Sequence, residues 1–371
     1  MVEATPADDA VFMRRALDLA GQGRGWTSPS PMSGAVVVKG GTIVGEGFSS
    51  KPGHPHAETF ALDAAGADAR GSDLYVVTEP CVLREGCVSG ILDSGVRRVV
   101  IATQDPNPAT AGKGISRLQA AGVEVTLGVE AASARRLNEA AIKFLATRRP
   151  FVSLSAVMSF DGKTATAIGE RPAPPLEATD DLRSAYDAIL IGVGTVLHDD
   201  PDLTVTAMRA RNPLRIVVDG MARTPPGCNL LSRKGTRGLR PATLIVTTRF
   251  APEERIRELQ ESGAEILQAP EEEDSMTGDV DLTRLMLLLG RRDISSVLIE
   301  GEGSLIDAAL TARIVDKVHA YLAPVILGGT SAPGLVGGVG ASFVEEGRTL
   351  HELTCKPVGS GLMLAAYLDP R

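Results

Sequence analysis

The sequence predicts an α/β protein with two domains. The chain has 371 residues, which is enough for two hydrophobic cores. Short β-branched runs alternate with segments of helical periodicity, a pattern typical of mostly parallel sheets covered by helices. The alternation fades near residues 145–150 and resumes at Phe151 with a longer period. We therefore expect one domain over residues 1–147 and another over residues 150–371.

The first predicted domain opens with a helix and a β-hairpin. Apolar residues recur at helical spacing in "DDAVFMRRALDLAGQG", where Asp8 or Asp9 is the expected N-cap. Two β-branched runs flank Gly40 and Gly41, which predicts a hairpin. A second helix is expected to open at His56. The elements after it are the strand "DLYVVTEPC", the helix "CVSGILDSG" and the strands "RRVVIATQDP" and "GVEVTLGV".

The second predicted domain has the same alternation of strands and helices. Helical segments are expected around residues 252–263 and 280–289. The Pro-rich segment 169–181 and the acidic segment 269–279 are expected to lack regular structure. The predicted strands are "FVSLSAV", "AILIGVG", "LRIVVDG", "TLIVTT", "SVLIEG" and "VHAYLAPVIL".

Charge and cysteine content disfavour several classes of protein. The net charge of −8, from 38 basic and 46 acidic residues, argues against a surface that coats nucleic acid. The N-terminal stretch lacks the apolar core of a signal peptide, and no apolar run approaches the ~20 residues of a membrane helix. We therefore expect a cytoplasmic protein that binds a small molecule, with neither nucleic acid nor membrane as a partner. The four cysteines then favour roles other than disulfides.

His56, Glu58, Cys81 and Cys87 form a candidate zinc site. One imidazole and two thiolates are typical zinc ligands, and they leave a fourth tetrahedral position open for water. Glu58, two residues after His56, then fits a proton shuttle rather than a ligand. This H-x-E and P-C-x(n)-C arrangement is typical of zinc deaminases, in which activated water attacks an amidine-like ring carbon.

Two other interpretations of this site stay open. The cysteines also fit as small buried residues, with the histidines at the surface. Alternatively, the zinc is purely structural and the protein is a non-catalytic scaffold. Glu58 argues against a structural zinc, because such a site prefers four closed ligands and has no use for a proton shuttle.

Two glycine-rich turns in the second domain are candidates for a dinucleotide site. Gly192 and Gly194 follow one predicted strand, and Gly301 and Gly303 follow another. Such turns at strand ends let a backbone approach a pyrophosphate, although each glycine alone fits an ordinary turn equally well. Asp200 either orients a substrate or caps a turn within "DDPD". Arg249 is a candidate for the 2′-phosphate of NADPH or is a solvated strand-end residue.

The sequence resembles the bifunctional riboflavin-biosynthesis deaminase/reductase family over nearly the whole chain. The first domain is similar to the family's deaminase domain in "SPSPMSGAVVVKGGTIVGEGF", "HAE", "LYVVTEPC" and "GKGISRLQAAGVEV". The second is similar to its reductase domain in "MSFDGKTA", "LRSAYDAILIGVGTVLHDDPDLTV", "LIEGEGSLI" and "APVILGG". The resemblance implies a cytidine-deaminase-like three-layer domain followed by a dihydrofolate-reductase-like α/β domain. It also implies zinc, NADPH, a phosphoribosylaminopyrimidine substrate and a homodimer or higher homo-oligomer formed through the reductase domain.

The resemblance also assigns roles to individual residues. The family hydrolyses a ring amine to a carbonyl and then reduces the ribosyl group to ribityl with hydride from NADPH. His56, Cys81 and Cys87 match its zinc ligands, and Glu58 matches its catalytic proton shuttle. The implied substrate-binding residues are Ser30, Asp105, Asn107, Arg183, Asp200 and Glu300. The implied cofactor-binding residues are Ser159, Asp161, Gly162, Gly192, Gly194, Thr195, Gly301 and Gly303.

The chain departs from the family pattern at several positions. Hydroxyl side chains at Ser30, Ser155 and Thr206 stand where the family has Asn, Lys and Arg. The segment "RPAPPLEAT" replaces one that contains Trp, and the loop between Cys81 and Cys87 is shorter than in the family. These changes keep an alternative open. It is a divergent paralogue with the same chemistries, or with only one active domain, acting on a related amino-heterocycle in a specialised pathway.

The lost cations lead to an expectation about substrate. Phosphate groups are usually bound by Arg or Lys side chains. We therefore expect the reductase to handle the phosphoribosyl substrate poorly unless another basic residue fills the vacated place. Arg183 is retained, and the other candidates are Lys163, Arg209 and Arg211.

Overall fold

The computed structural model describes residues 6–82, 87–207, 210–231, 243–270, 278–301 and 303–368. The chain divides into two compact units between Arg148 and Arg149. Most of the acidic segment expected to lack regular structure, at 271–277, lies outside the described residues. Among the described helices, none combines the length and the apolar character needed to cross a membrane.

The first unit is a five-stranded sheet between two layers of helices. Helices α1 and α5 cover one face, and α2, α3 and α4 cover the other. The strand order is β2-β1-β3-β4-β5. The helices are α1 (Pro6–Gly21), α2 (Ala57–Ala65), α3 (Cys87–Ser94), α4 (Lys113–Ala120), α5 (Ala131–Leu137) and α6 (Glu139–Thr147), and the strands are β1 (Gly34–Lys39), β2 (Thr42–Phe48), β3 (Asp73–Thr78), β4 (Arg98–Thr103) and β5 (Glu124–Leu127).

The expectation of a mostly parallel sheet is wrong for this unit. Strand β1 runs antiparallel to both β2 and β3, whereas β3, β4 and β5 run parallel. The hairpin predicted at Gly40 and Gly41 is confirmed, and both glycines have positive φ. Insertion of this hairpin beside β3 makes the sheet mixed.

The predicted N-cap of α1 is also wrong. The helix already includes Pro6, so Asp8 and Asp9 lie within its first turn. Asp9 is buried, with 5% of its surface exposed. Its Oδ1 accepts hydrogen bonds from the Tyr75 hydroxyl at 2.7 Å and from Arg98 Nη2 at 2.6 Å. The carboxylate thus joins α1 to two strands. Burial, followed by the hydrogen bond to Asp9, raises the pKa of Tyr75.

Helix α2, which carries His56 at its N-cap, packs closely on strand β2. A Cβ atom added to Gly45 would lie 2.1 Å from the Ala61 carbonyl oxygen, and one added to Gly47 would lie 2.5 Å from that of Ala57. Only glycine fits such an approach of two backbones. The two glycines therefore set the distance between the helix and the sheet at the site described below.

The second unit is a nine-stranded sheet covered on both faces. The order is β10-β9-β8-β7-β11-β6-β12-β14-β13, with antiparallel pairing only at β12-β14 and β14-β13 among the described strands. The strands are β6 (Phe151–Ser159), β7 (Ala188–Gly192), β8 (Leu214–Val218), β9 (Thr243–Thr247), β10 (Glu265–Gln268), β11 (Ser296–Glu300), β12 (Lys317–Ala323), β13 (His351–Val358) and β14 (Gly361–Tyr367). The helices are α7 (Leu176–Ser184), α8 (Val193–Asp199), α9 (Glu253–Glu261), α10 (Leu282–Arg291) and α11 (Gly303–Thr311).

The expectation for residues 169–181 is partly wrong, because α7 begins at Leu176. Its polar sequence includes a buried residue, Asp180, which is 3% exposed and ties the helix to the unit. Asp180 Oδ2 accepts hydrogen bonds from the backbone N–H of Thr206 and of Ala207 and from the Thr206 hydroxyl. The helix is therefore held by long-range hydrogen bonds that local periodicity does not reveal.

Candidate active sites

The first cleft lies in the first unit and contains the candidate zinc ligands. His56 is the N-cap of α2, Glu58 lies in its first turn, and Cys87 is the first residue of α3. The cleft has a volume of about 230 Å³. It is lined by Thr27, Ser30, Pro31, Ser33, Ser49, Lys51, Pro52, Gly53, His56, Glu58, Thr78, Glu79, Cys81, Asp105 and Pro106.

The geometry of three residues fits a metal ion. His56 Nδ1 and Cys87 Sγ are 3.3 Å apart. Zinc–nitrogen and zinc–sulfur bonds of ordinary length would place two tetrahedral ligands about 3.5 Å apart. The ligand atoms of His56, Glu58 and Cys87 all lie within 4.8 Å of one another. Cys81 is not part of that cluster, but it lines the same cleft.

Glu58 is a buried carboxylate of the cleft rather than a surface carboxylate. Only 3% of its surface is exposed, and its Oε1 atom is buried without a hydrogen-bond partner among the described residues. Oε1 lies 3.8 Å from His56 Nδ1, beyond hydrogen-bond distance. A buried carboxylate oxygen without a partner is costly, so its presence in a cleft indicates a functional role.

Glu79 supports the floor of this cleft and was missed by the sequence analysis. Its two carboxylate oxygens accept hydrogen bonds from the backbone N–H groups of Asp105, Gly112, Gly114 and Ile115, at 2.7–3.1 Å. Because Glu79 directly follows β3, it fixes the start of α4 and the loop after β4 against the strand that leads to Cys81. The only sequence signal was a carboxylate next to the Pro-Cys turn.

The structure separates Asp105 and Asn107, two of the substrate-binding residues that the family resemblance implies. Asp105 lines the cleft, and its carboxylate accepts hydrogen bonds from the Asn107 backbone N–H and the Thr110 hydroxyl. The Asn107 side chain instead accepts from the Ala109 N–H and is not among the lining residues. Ser30 lines the cleft as expected.

Lys51 is a further cleft residue that the sequence analysis did not select. Its Nζ lies 5.3 Å from the centre of the Trp26 ring, a cation–π distance. It is the single Lys or Arg among the described residues that line the first cleft. Nothing local in the sequence distinguishes it from a surface lysine.

The second cleft lies in the second unit, at the ends of β7 and β11 and beside residues 155–157 of β6. It has a volume of about 240 Å³. It is lined by Ser155, Ala156, Val157, Thr164, Arg171, Pro172, Arg183, Ile191, Thr195, Asp199, Pro201, Leu203, Glu300, Gly301 and Leu335. The cleft thus lies at the carboxyl ends of parallel strands, where open α/β sheets bind ligands.

Four residues predicted from the sequence meet in this cleft: Arg183, Thr195, Glu300 and Gly301. Arg183 donates two hydrogen bonds to Glu300, from Nε at 2.9 Å and from Nη2 at 2.8 Å. Burial lowers the pKa of Arg183, but the hydrogen bond and the charge of Glu300 outweigh it, so the pKa is raised overall. The pair therefore places a guanidinium and a carboxylate in fixed positions at the wall of the cleft.

Asp199, rather than Asp200, lines the second cleft. Asp200 has a left-handed backbone, with φ at 39°, and its carboxylate accepts hydrogen bonds from the backbone and side chain of Asn229. Asp199 instead lies between His198 and Arg171. The turn-capping interpretation of Asp200 therefore describes its contacts, and Asp199 and Arg171 are cleft residues that the sequence analysis missed.

Asp161 organises a loop beside the end of β6. Its carboxylate accepts hydrogen bonds from the Ser159 hydroxyl and from the backbone N–H groups of Leu327 and Gly328, and these bonds lower its pKa to about 2. Gly162 continues this turn with positive φ. None of the three predicted residues Ser159, Asp161 and Gly162 is among the lining residues of the second cleft.

The remaining predicted glycines shape backbone next to the second cleft. Gly192 is the N-cap of α8, and Gly194 lies in the first turn of that helix. Gly303 begins α11, and a Cβ atom there would lie 2.9 Å from the Gly337 nitrogen. These three glycines are not among the lining residues, so a direct cofactor contact stays a prediction.

Two protein families match successive parts of the chain. Residues 6–103 match the cytidine and deoxycytidylate deaminase zinc-binding region, and residues 150–364 match the RibD C-terminal domain. The riboflavin biosynthesis protein RibD of Actinobacillus pleuropneumoniae is 35% identical over 363 residues, which cover 96% of this chain and 94% of that protein. The Escherichia coli protein of the same name is 38% identical over 341 residues, covering 86% of this chain and 89% of the relative.

Solved structures agree with this match. Acinetobacter baumannii RibD, form 2, aligns with a TM-score of 0.85 at 29% identity, covering 99% of this chain and all of that one. A diaminohydroxyphosphoribosylaminopyrimidine deaminase/5-amino-6-(5-phosphoribosylamino)uracil reductase from Thermotoga maritima aligns with a TM-score of 0.83 at 29% identity, covering 98% of this chain and 99% of that one. None of these relatives favours the alternative of a specialised pathway. The chain therefore belongs to the RibD family of riboflavin biosynthesis, zinc-dependent deaminases fused to NADPH-dependent reductases that act on a small-molecule substrate.

Proposed function

We propose that residues 1–147 form the deaminase and residues 150–371 the reductase, and that both act in turn on one phosphoribosylaminopyrimidine. The observation that carries this proposal is the cluster of His56, Glu58 and Cys87 in the first cleft. A buried carboxylate beside two potential zinc ligands suits hydrolysis of a ring amine.

In the deaminase, His56, Cys81 and Cys87 hold the zinc. When bound, zinc acts as a Lewis acid that makes water a nucleophile near neutral pH. Glu58 accepts a proton from that water and returns it to the leaving amine. Water oxygen thus replaces the ring amine as a carbonyl, and ammonia leaves. Burial of Glu58 in the cleft supports this role, because a general acid–base group must reach the reacting atoms and be shielded from competing solvent.

The substrate contacts of the deaminase come from Ser30 and Asp105. Both line the cleft, and Asp105 is held by the hydrogen bonds of its own turn. Asn107 supports Asp105 through its backbone N–H and thereby shapes the pocket from outside its wall.

When bound, NADPH would supply the hydride for the sugar carbon that becomes the end of the ribityl chain, and solvent would supply the proton that completes the reduction. Arg183 and Glu300 contact the substrate, while Thr195 and Gly301 contact the cofactor. Support comes from their meeting in one cleft at the ends of β7 and β11 and beside residues 155–157 of β6. Asp199 lines the same cleft. The neighbouring Asp200 accepts a hydrogen bond from Asn229 and thereby holds the chain beside Asp199 in place.

Backbone geometry completes the proposed cofactor site. Gly192, Gly194 and Gly303 allow two helix starts to approach the dinucleotide. Asp161 holds the loop at residues 327–328, and the Ser159 hydroxyl and the turn at Gly162 support that carboxylate.

Two coupled measurements test the proposal. Purified enzyme receives the phosphoribosyl diaminopyrimidine with NADPH, and ammonia release and NADPH oxidation are followed separately. We expect ammonia release that requires zinc and NADPH oxidation that follows it. Ammonia release without NADPH oxidation would contradict the reductase assignment, and activity with neither readout would contradict the substrate.

We also propose that the protein assembles as a homodimer or higher homo-oligomer through the second unit. Strand β13 stands at the edge of the described sheet. Leu353 on that strand is 66% exposed, and Phe160 and Ile326 in the same unit are 70% and 71% exposed. A second copy of this chain would cover such apolar side chains. Light scattering of wild type and of Leu353→Asp tests this; a monomeric wild type would contradict it.

The cellular setting completes the proposal. The net charge of −8 supports a substrate other than nucleic acid. The proposed zinc ligands Cys81 and Cys87 support a reducing compartment, the cytoplasm, since oxidation would remove two zinc ligands. Fluorescent tagging of the full chain in its native cell would check the location.

A further inference from the structure

We propose that His198 and Asp199 form the path by which a proton enters the second cleft during reduction. The inference deepens the proposed reductase function and rests on it. Reduction of the ribosyl group consumes a hydride and a proton, and the source of the proton has to be connected to solvent. The sequence analysis selected neither residue for this step.

The reduction needs a proton donor at the ring oxygen of the sugar. As the sugar carbon receives the hydride from NADPH, the bond between that carbon and the ring oxygen breaks. The electron pair of the broken bond stays on the oxygen, which then binds a proton. Substrate, NADPH and one proton thus give the ribityl product and NADP⁺. An acid placed near the oxygen lowers the barrier, because it neutralises the charge as it develops.

The basic residues that the sequence offered for this region lie away from the cleft. Arg211 Nη1 donates to Asp187 Oδ1 at 3.0 Å, and Lys163 Nζ donates to the Ala332 carbonyl oxygen at 3.1 Å. Neither lines the second cleft, and Arg209 lies outside the described residues. The charged side chains among the described lining residues are Arg171, Arg183, Asp199 and Glu300.

Of the two carboxylates in this set, Glu300 is already engaged. Arg183 donates to its two different oxygens, from Nε at 2.9 Å and from Nη2 at 2.8 Å. A proton on either oxygen of Glu300 would displace one of these charged hydrogen bonds. Asp199 is therefore the carboxylate that can pass a proton into the cleft.

Asp199 has a direct link to an exposed imidazole. Its Oδ1 lies 2.6 Å from His198 Nδ1, a hydrogen-bond distance. The His198 side chain is 58% exposed, whereas that of Asp199 is 27% exposed. Imidazole is the side chain that exchanges protons with water near neutral pH. His198 thus faces solvent, Asp199 faces the cleft, and a hydrogen bond joins them.

The groups around this pair fix its geometry. Arg171 Nε lies 3.4 Å from Asp199 Oδ2, so the oxygen that does not contact His198 stands beside a cation. The His198 ring packs at Gly169, where an added Cβ atom would lie 3.2 Å from Cε1 and 3.4 Å from Nε2. The carboxylate of the next residue, Asp200, is bound in a neighbouring turn. The Asp199 carboxylate is thus held between a cation and the imidazole, and it carries a proton only in transit.

The proton moves in two transfers. Protonated His198 gives the proton on Nδ1 to Asp199 Oδ1, and the resulting carboxyl group gives a proton to the sugar oxygen. Rotation of the exposed imidazole and uptake of a proton from water restore the starting state. The hydride comes from NADPH, so the sequence needs no further oxidant or reductant.

The first test follows single-turnover oxidation of NADPH by the intact protein with the deaminated phosphoribosyl pyrimidine. The variants are His198→Ala, Asp199→Asn and the double variant, each with and without added imidazole. His351→Ala, at the first residue of strand β13, is the matched control. Rates are measured between about pH 5 and 8, the range in which imidazole changes its charge. Rescue by imidazole also shows that a variant is folded.

We expect His198→Ala to slow NADPH oxidation by about 10- to 100-fold, since general acid catalysis contributes about 10²–10⁴-fold and water replaces part of it. KM for the pyrimidine should change by less than about twofold, and imidazole should restore much of the rate. The wild-type rate should fall as pH rises through the neutral range, and His198→Ala should lack this dependence. Asp199→Asn and the double variant should be equally slow and should not respond to imidazole.

A second test needs neither substrate nor NADPH. The hydrogen bond to Asp199 predicts that neutral His198 carries its proton on Nδ1, because the partner of one ring nitrogen sets the tautomer. Long-range ¹H–¹⁵N NMR correlations report the tautomer, and the signal that is lost in His198→Ala identifies the residue. Asp199→Asn should reduce the Nδ1–H form. An Nε2–H tautomer in wild type would contradict the path.

Three kinetic results would also overturn the inference. One is an unchanged rate in His198→Ala. Another is a slow His198→Ala that imidazole does not rescue and that keeps the wild-type pH dependence, which would show that His198 only shapes the cleft. The third is rescue of the double variant by imidazole, since the proton would then bypass Asp199. A wild type that oxidises no NADPH would instead refute the proposed reductase function, so the two failures are distinguishable.

Discussion

Replacing Glu58 by Gln tests the deaminase mechanism most directly. The amide has the same size and fits the same buried place, where only 3% of the residue is exposed. It cannot accept a proton from water or return one to the leaving amine. General acid–base catalysis contributes about 10²–10⁴-fold. Since the proposed mechanism uses Glu58 in both proton transfers, we expect turnover to fall by roughly 10³–10⁴-fold, or about 4–5.5 kcal/mol of activation free energy.

A second substitution calibrates the geometry. Glu58→Asp keeps the carboxylate but withdraws it by one carbon–carbon bond, about 1.5 Å. Misplacement on this scale costs on the order of 100-fold, so this variant should fall between Gln and wild type. The distance of 3.8 Å between Glu58 Oε1 and His56 Nδ1 shows that the carboxylate already stands just outside hydrogen-bond reach of the proposed zinc ligand.

The assay is steady-state ammonia release, with zinc content measured on the same samples by elemental analysis. Both variants should keep the zinc of wild type, and both should oxidise NADPH normally when given the deaminated substrate. Glu58→Gln retaining more than about a tenth of wild-type turnover would refute the reasoning. Loss of zinc from Glu58→Gln would show instead that Glu58 is a ligand.

Three further predictions concern the two units separately. Cys87→Ala should lower zinc content from about one per chain, whereas Cys355→Ala, at an exposed cysteine, should leave it unchanged in the same elemental analysis. Glu79→Gln should weaken an anionic acceptor of four backbone N–H groups and so lower the thermal midpoint of unfolding. Because the floor of the cleft would shift, ammonia release should also fall by roughly tenfold. An unchanged thermal midpoint together with unchanged ammonia release would contradict the positioning role of Glu79. Asp161 has a folded pKa of about 2, below its ordinary value of ~3.9, so it stabilises the fold above about pH 4 and loses that effect as pH falls through about 2. The difference in urea midpoint between wild type and Asp161→Asn should therefore be larger at pH 7 than at pH 3, and a difference independent of pH would contradict the assigned contacts.

Local signals in the sequence determined most helices and strands of the described chain. The helix that opens at His56, the hairpin at Gly40 and Gly41, and the helix that starts at Cys87 are all confirmed. Each depends on interactions within a few residues, such as turn conformation, capping and periodicity. The spacing of His56 and Glu58 was informative for the same reason, since one helix start positions both side chains.

Contacts between distant segments decided the features that the sequence left open. Asp9 has the sequence of a helix cap, but Arg98 and Tyr75 make it a buried acceptor. The start of α7 is polar and Pro-rich, and the hydrogen bonds that Asp180 accepts from Thr206 hold it. Strand pairing likewise made the first sheet mixed, because the register of β1 with β3 joins residues about 40 positions apart.

The difference between what the sequence determined and what the tertiary structure decided is clearest in the second cleft. Asp199 and Asp200 are adjacent and chemically identical, so the sequence determined only that a carboxylate stands near the end of α8. The left-handed backbone at Asp200 turns that residue to Asn229, and Asp199 is left to face the cleft with Arg171. The direction in which a side chain points depends on the local backbone conformation and on contact partners that are distant in the sequence. The sequence therefore determined the family and its chemistry, whereas the tertiary structure decided which individual charges line the cleft.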